Sequence, residues 1–159
     1  MSASRVKRSA GILAWRHGAA GLEVFLVHPG GPFWARRDAG AWSIPKGELE
    51  AQEAELAAAQ REFLEETGQS VQGAFMQLTP LRQSGGKTVS AFAVEAASLD
   101  PAKLRSTMFR MQWPPKSGKW QEFPEVDRAA WFDLPAASVR LLAAQRVLLQ
   151  ELAARLKLA

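Results

Sequence analysis

The chain has 159 residues, no cysteine, 20 Lys and Arg against 16 Asp and Glu, and a formal net charge of +4. That length suits one domain, residues 1–159, able to bury roughly two-thirds of its unfolded surface. A disulfide framework and thiol chemistry are excluded; the early apolar run at residues 10–15, behind Arg5, Lys7 and Arg8, is too short for a signal peptide or a membrane span, so a cytoplasmic location is the default expectation.

Residues 6–15 and 22–28 read as strands joined by the turn His17-Gly18-Ala19-Ala20-Gly21. Next comes Pro29-Gly30-Gly31-Pro32-Phe33-Trp34-Ala35-Arg36-Arg37, a loop with two aromatic and two cationic groups. Aromatic rings stack on bases and guanidinium groups grip phosphates, so Trp34, Arg36 and Arg37 are candidate substrate contacts. The plainer reading is a loop whose Trp34 covers a core edge. The stretch Trp42-Ser43-Ile44-Pro45-Lys46-Gly47 ends in a glycine whose carbonyl can turn toward a cation, and Lys46 beside it is a candidate phosphate contact.

Residues 47–68 hold seven acidic side chains and one base, Arg61, giving −6, while the flanks at 1–46 and 69–159 each carry +5. Basic flanks favour anionic substrates or serve solubility. From Glu53 to Thr67 helix formers dominate, and Gly68 follows where glycine ends helices. At about 100° per residue, Glu62, Glu65 and Glu66 gather on one face with Glu55 on the same side. Leu56, Ala59 and Phe63, extended by Gln60 and Leu64, form a packing face. Glu53 falls opposite the trio, near Arg61, where the two can pair and brace the helix. Hard cations such as Mg²⁺ take oxygen ligands, keep several waters, and often bind through one or two carboxylates plus substrate phosphates. Zinc does not fit: the two histidines, His17 and His28, are far apart in sequence and no HExxH occurs.

Further on, residues 75–83 and 87–95 read as a hairpin turning at Ser84-Gly85-Gly86. Gly86-Lys87-Thr88 imitates the end of a phosphate-binding P-loop, but the first glycine of that motif would fall on Leu81, and two strands flank it. Lys87 stays a candidate phosphate contact from a hairpin tip. A second hairpin is predicted from residues 109–113 to 120–123, turning at Lys116-Ser117-Gly118-Lys119. Its last strand leads into Glu122-Phe123-Pro124-Glu125-Val126-Asp127, a second acidic cluster. A short strand at 129–132 follows, then a helical region from about Pro135 to Leu156, capped by Asp133 and broken near Ala143-Ala144. Its leucines (148, 149, 152 and 156) suit a core or a self-association surface. His28 suits a packed or capping role rather than that of a base. This order predicts an α/β fold with a mixed β-sheet between helices.

Gly47, Glu53, Arg61-Glu62-Phe63, Glu65-Glu66 and Gly68 each occupy their position in the signature of the Nudix hydrolases, which the chain resembles. Only the last position, normally aliphatic, departs: it holds Gln69, with Val71 near enough to supply the apolar contact. Pro45-Lys46-Gly47 resembles the entry found in members that cleave dinucleoside polyphosphates. The resemblance implies a Nudix-type α/β/α sandwich and hydrolysis of a nucleoside diphosphate linked to another moiety. It implies Glu62, Glu65 and Glu66 as ligands of Mg²⁺ or Mn²⁺, the Gly47 carbonyl as a further ligand, and Glu53 with Arg61 as a structural pair. It also implies a late-loop glutamate that helps to activate water, with Glu122 and Glu125 the candidates.

The expected reaction is metal-dependent pyrophosphohydrolysis, with dinucleoside polyphosphates favoured over ADP-ribose, nucleotide sugars and nucleoside triphosphates. The expected partner is a small nucleotide, not nucleic acid, with RNA 5′ ends left open; the expected assembly is a monomer or homodimer away from membranes. The rival of another class is a non-catalytic module that binds nucleotide or RNA, and the intact set of carboxylates argues against it.

Overall fold

The computed structural model describes residues 7–157. Arg5 and Val6, which the sequence reading placed before and at the start of the first strand, lie outside the described residues. The first hairpin joins β1 (Arg8–Gly18) to β2 (Gly21–Pro29), with a tighter turn than expected because Gly18 pairs directly with Gly21. Gly21 has φ +121°, a conformation that suits glycine.

β3 (Lys46–Glu48) is a strand the sequence reading missed. It is three residues long, too short for a periodic signal. The acidic helix follows as α1 (Glu55–Thr67) and ends at Gly68 in the left-handed region, φ 75°, whose N–H donates to the Leu64 carbonyl. The expected strand at 75–83 is split into β4 (Met76–Gln77) and β5 (Leu81–Gln83), both paired with β6 (Lys87–Glu95). Pro80 falls between them and cannot donate to a ladder. The second hairpin, β7 (Met108–Gln112) and β8 (Trp120–Pro124), forms its own two-stranded sheet. β9 (Val126–Asp133) is longer than the strand predicted at 129–132, since it pairs along most of β2. The predicted helical region is interrupted near residues 143–144 as expected: α2 (Leu134–Arg140), a 3-10 turn at Ala143–Gln145, then α3 (Val147–Arg155). Asp133 caps α2 by accepting from the Ala136 N–H at 2.9 Å.

The main sheet runs β4-β6-β1-β2-β9, with β3 also on β1 and β5 also on β6. β1 and β6 are parallel and the other pairs antiparallel, so the sheet is mixed. Side-chain alternation divides the core in two. Ala10, Ile12, Phe25 and Val27 pack toward Ala58, Ala59 and Phe63 of α1. Leu13, Val24 and Leu26 pack toward Ala137, Leu141, Leu148 and Leu152 on the other side. This is the predicted sandwich. Both faces are covered, which is why residues 9–14 are buried without interruption. No helix among the described residues is long and apolar enough to cross a membrane.

One feature of the sheet positions the site. β1 pairs with β2 only through residues 15–18 and 21–24; nearer its start it pairs with β3 instead. The segment before β3 fills the gap where the strands part, with Ser43 bonded to Val27 on β2 and the Pro45 carbonyl to Ile12 on β1. Fully buried Gln145 fixes it from the far side: its Oε1 accepts from the Ile44 N–H at 3.0 Å, and its Nε2 donates to Ser43 Oγ at 3.0 Å. Lys46 and Gly47 are thereby held at the mouth of the gap.

Candidate active site

α1 presents its sequence to two environments. Ala58, Ala59, Phe63 and Thr67 meet the sheet. Leu64, expected on that packing face, is 50% exposed, because the sheet touches only the strip through Ala59, Phe63 and Thr67. Glu62 lies against Gly47 and Glu66 near Lys46, both of β3, while Glu65 lies near Arg61 and Glu125. Their turn of helix is tied to the root of the second hairpin: the Glu65 carbonyl accepts from the Thr107 N–H and the Thr67 carbonyl from the Arg105 N–H, both at 2.9 Å. These bonds satisfy carbonyls that a helix end leaves open.

Glu53, expected on the helix, sits instead in the turn before it, one residue ahead of the N-cap Ala54. It pairs with Arg61 all the same. Arg61 Nε donates to Glu53 Oε2 and Nη2 to Glu53 Oε1, both at 2.9 Å, and Nη2 reaches the Glu48 carbonyl at 3.1 Å. The bidentate Arg61 bond is the main reason the Glu53 carboxyl is lowered to about 2. Arg61 Nη1 also takes Glu62 Oε1 at 2.9 Å. Arg61 therefore joins the turn, β3 and the acidic face. Arg61→Ala is expected to lower the melting temperature by several degrees, measured by calorimetry, because it leaves Glu53 and Glu62 without their partner. Glu55, on the same side of α1 as Glu62, pairs with Arg8 at 3.1 Å and accepts from Ser90 Oγ.

Gly47 has no left-handed backbone requirement; its constraint is contact. A Cβ built on it would fall on the carboxylate of Glu62. A cavity of about 230 Å³ opens beside this pair, lined among others by Trp34, Ser43, Lys46, Glu66 and Glu125. Burial, helped by the charge of Glu62, raises the Glu66 carboxyl from 4.5 to about 8, against the pull of Lys46. Glu62 is also raised, by burial first, against its bond to Arg61. Glu125 is raised by burial and then by the charge of Glu65. These carboxylates crowd one another where the cavity opens, Glu62 and Glu66 half-buried and Glu125 exposed at its rim.

The structure therefore brings together Lys46, Gly47, Glu62, Glu65, Glu66, Trp34 and Glu125. Glu122 stands apart: both it and Glu125 are exposed, but Glu122 lies on β8 in register with Arg110 and does not line the cavity. Glu125 lines it because it sits in the corner between β8 and β9, where its N–H donates to the Thr107 carbonyl and its carbonyl accepts from Gly30. Sequence alternation alone did not separate the two. Arg36 and Arg37 are exposed, and Arg37 lies 5.6 Å over the Trp34 ring. Lys87 lines a separate depression with Arg82 and Thr88. His28 is packed as expected: fully buried, with Nδ1 at 2.8 Å from Asp127 and Nε2 at 2.6 Å from the Arg37 carbonyl. Gln69, at the atypical position of the signature, bonds the backbone of Asp100 through both amide atoms, while Val71 is buried in the core on the α1 side.

As they stand, no three acidic or histidine side chains among the described residues are spaced around one ion. Arg61 holds Glu62, and Glu66 turns into the cavity. The donor set nevertheless fits a hard divalent cation. It is all oxygen, and the raised carboxyls carry an electrostatic cost that such a cation would relieve.

The NUDIX domain model matches residues 6–152, so the chain belongs to that family, whose enzymes hydrolyse pyrophosphate bonds. No curated protein sequence matches it. Among solved structures it is similar to an Ap4A hydrolase from C. elegans in a binary complex (TM-score 0.67, 22% identity, covering 95% of this chain and 98% of that one). It is also similar to the NUDIX domain of NrtR from Shewanella oneidensis complexed with ADP ribose (0.65, 17%, 97% and 90%). A third is RenU, a Nudix hydrolase from M. smegmatis (0.62, 20%, 97% and 89%). At these identities the likeness is one of fold.

Proposed function

We propose that this chain is a divalent-metal-dependent pyrophosphohydrolase acting on nucleoside diphosphate-linked compounds, with dinucleoside polyphosphates the favoured class. The observation that carries the reading is the convergence of Glu66, Glu125, Lys46 and Trp34 on one cavity beside the Gly47–Glu62 contact. Glu62, Glu65, Glu66 and the Gly47 carbonyl would hold the cation. When bound, such an ion lowers the pKa of water and neutralises phosphate charge.

The chain's own groups do the rest. Trp34 offers a face for a base at the cavity wall, and Lys46 places a positive charge near the diphosphate. Water attacks one phosphorus in line, the bridging P–O bond breaks, and the leaving phosphate departs with the electron pair. Glu125 takes the role of base in place of Glu122: its raised carboxyl is a better proton acceptor than an ordinary surface glutamate, and its corner is tied to the same helix turn as Glu65. The favoured substrate rests on Pro45-Lys46-Gly47, on the aromatic wall and on the likeness in fold to an Ap4A hydrolase.

A panel of dinucleoside polyphosphates, ADP-ribose, nucleotide sugars and nucleoside triphosphates, incubated with Mg²⁺ and resolved by chromatography, tests the reading. The highest kcat/KM is expected on a dinucleoside polyphosphate; a clear preference for another class would overturn the substrate and leave the chemistry standing.

A further inference from the structure

The second hairpin is not explained by the chemistry above. It forms a sheet of its own, and residues 101–121 contain five Lys and Arg and no Asp or Glu. Cross-strand register puts Arg110, Gln112, Trp120 and Glu122 on one face, and Trp120 is 57% exposed there. The Arg110 guanidinium lies 5.5 Å over the Trp120 ring. Lys116 and Lys119 stand exposed in the turn. At the side, Trp113 packs edge-on at 5.1 Å against Phe33, which is 59% exposed and belongs to the loop that carries Trp34. Large aromatic rings left in water beside cations that form no salt bridge among the described residues mark an interaction surface.

We infer that this hairpin and the adjoining loop form a binding surface for single-stranded nucleic acid. Duplex DNA and RNA hide their base faces in the stack, whereas a single strand offers both bases for Trp120 and Phe33 and phosphates for Arg110, Lys116 and Lys119. Length separates this occupant from a small nucleotide. β8 alone spans roughly 17 Å from its Trp120 end to its Pro124 end, at about 3.4 Å per residue. The Lys116–Lys119 turn lies beyond it. A single nucleotide beside Glu125 is shorter than that strand, whereas a chain of several nucleotides can follow it from the β8–β9 corner to the turn. Within the hairpin Glu122 is the sole acidic side chain, and it sits opposite Arg110. From Arg110 to the turn the hairpin is therefore complementary to a polyanion. The inference concerns binding and stands whether or not the cavity is hydrolytic.

Fluorescence anisotropy with a 3′-labelled 12-nucleotide single strand, as RNA and as DNA, and with the same sequence as a duplex, tests it on the full chain. The single strand is expected to bind more tightly than the duplex, with affinity falling as salt rises. Trp120→Ala is expected to weaken binding about 10-fold through the lost stacking. The double change Lys116→Glu and Lys119→Glu is expected to flatten the salt dependence by about 1.4 log units per log unit of salt. Circular dichroism confirms that the variants are folded. Absence of binding at low salt, equal binding of the duplex, unchanged binding by both variants, or equal competition by anionic phospholipid vesicles would each overturn the inference. Tighter binding of RNA than DNA, or the reverse, would fix the kind of strand.

Discussion

Replacing Glu66 by Gln is expected to lower kcat at least ~10²-fold, comparable to the loss of one key catalytic group, with the protein still folded. Glu65→Gln is expected to do the same. For Glu66 the structural reason is direct. It is the acidic residue of α1 that lines the cavity, and burial together with the neighbouring Glu62 charge raises its carboxyl from 4.5 to about 8. The same shift sets a pH dependence for the metal-free protein. A carboxyl whose folded-state pKa is raised binds its proton more tightly when folded. Stability is therefore lost as pH rises from 4.5 through about 8, and the full penalty is present above that window. Glu53, lowered to about 2, acts oppositely: its contribution is present above 4.5 and is lost as pH falls toward about 2. Melting curves in EDTA are expected to show a maximum in mild acid, and Glu66→Gln is expected to remove most of the decline on the alkaline side. A variant that melts like the parent across that range would show that Glu66 is not the strained group.

Gly47→Ala is expected to separate activity from stability. Its Cβ would occupy the place of the Glu62 carboxylate, the far end of a flexible side chain that Arg61 holds at 2.9 Å. The carboxylate can swing away while Arg61 keeps Glu53, so the melting temperature should fall less than in Arg61→Ala. The displaced group, however, is one that would hold the cation, and misplacement of about 1 Å can cost roughly 10²-fold in rate. Steady-state kinetics with a Mg²⁺ titration should therefore show a large fall in kcat and a raised requirement for metal. Gly11 offers a contrast. A Cβ there meets the Pro45 carbonyl and Lys46 Cβ at 2.7 Å, where backbone must move, so Gly11→Ala should lower stability and activity together.

Much of this site was legible in the sequence because its chemistry is local. Glu62, Glu65 and Glu66 share a helix face by spacing alone, and the paired Glu53 and Arg61 and the close Gly47 all fall within one short segment. The layers of the fold were legible for a related reason: strand and helix periods, Asp133 as a cap, and Gly68 as a stop each act over a few residues. What the sequence hid is long-range. β3 exists because β1 and β2 part and need a filler, fixed by Gln145 about a hundred residues away. Glu53 pairs with Arg61 from outside the helix because the chain turns before Ala54, and a helical wheel does not see that turn. Glu125 rather than Glu122 reaches the cavity because the β8–β9 corner is bonded to Thr107 and Gly30, contacts that no spacing rule encodes. The loop aromatics divide in the same way. Trp34 lines the cavity, while Phe33 packs on Trp113 of the neighbouring hairpin.

The most direct test of the central claim is product formation from a dinucleoside polyphosphate, followed by phosphorus NMR, in Mg²⁺ and again in excess EDTA. Cleavage at a phosphoanhydride that requires the metal and is lost in Glu66→Gln is the predicted result. Cleavage that survives both EDTA and that substitution, or no cleavage of any nucleoside diphosphate-linked compound, would contradict it.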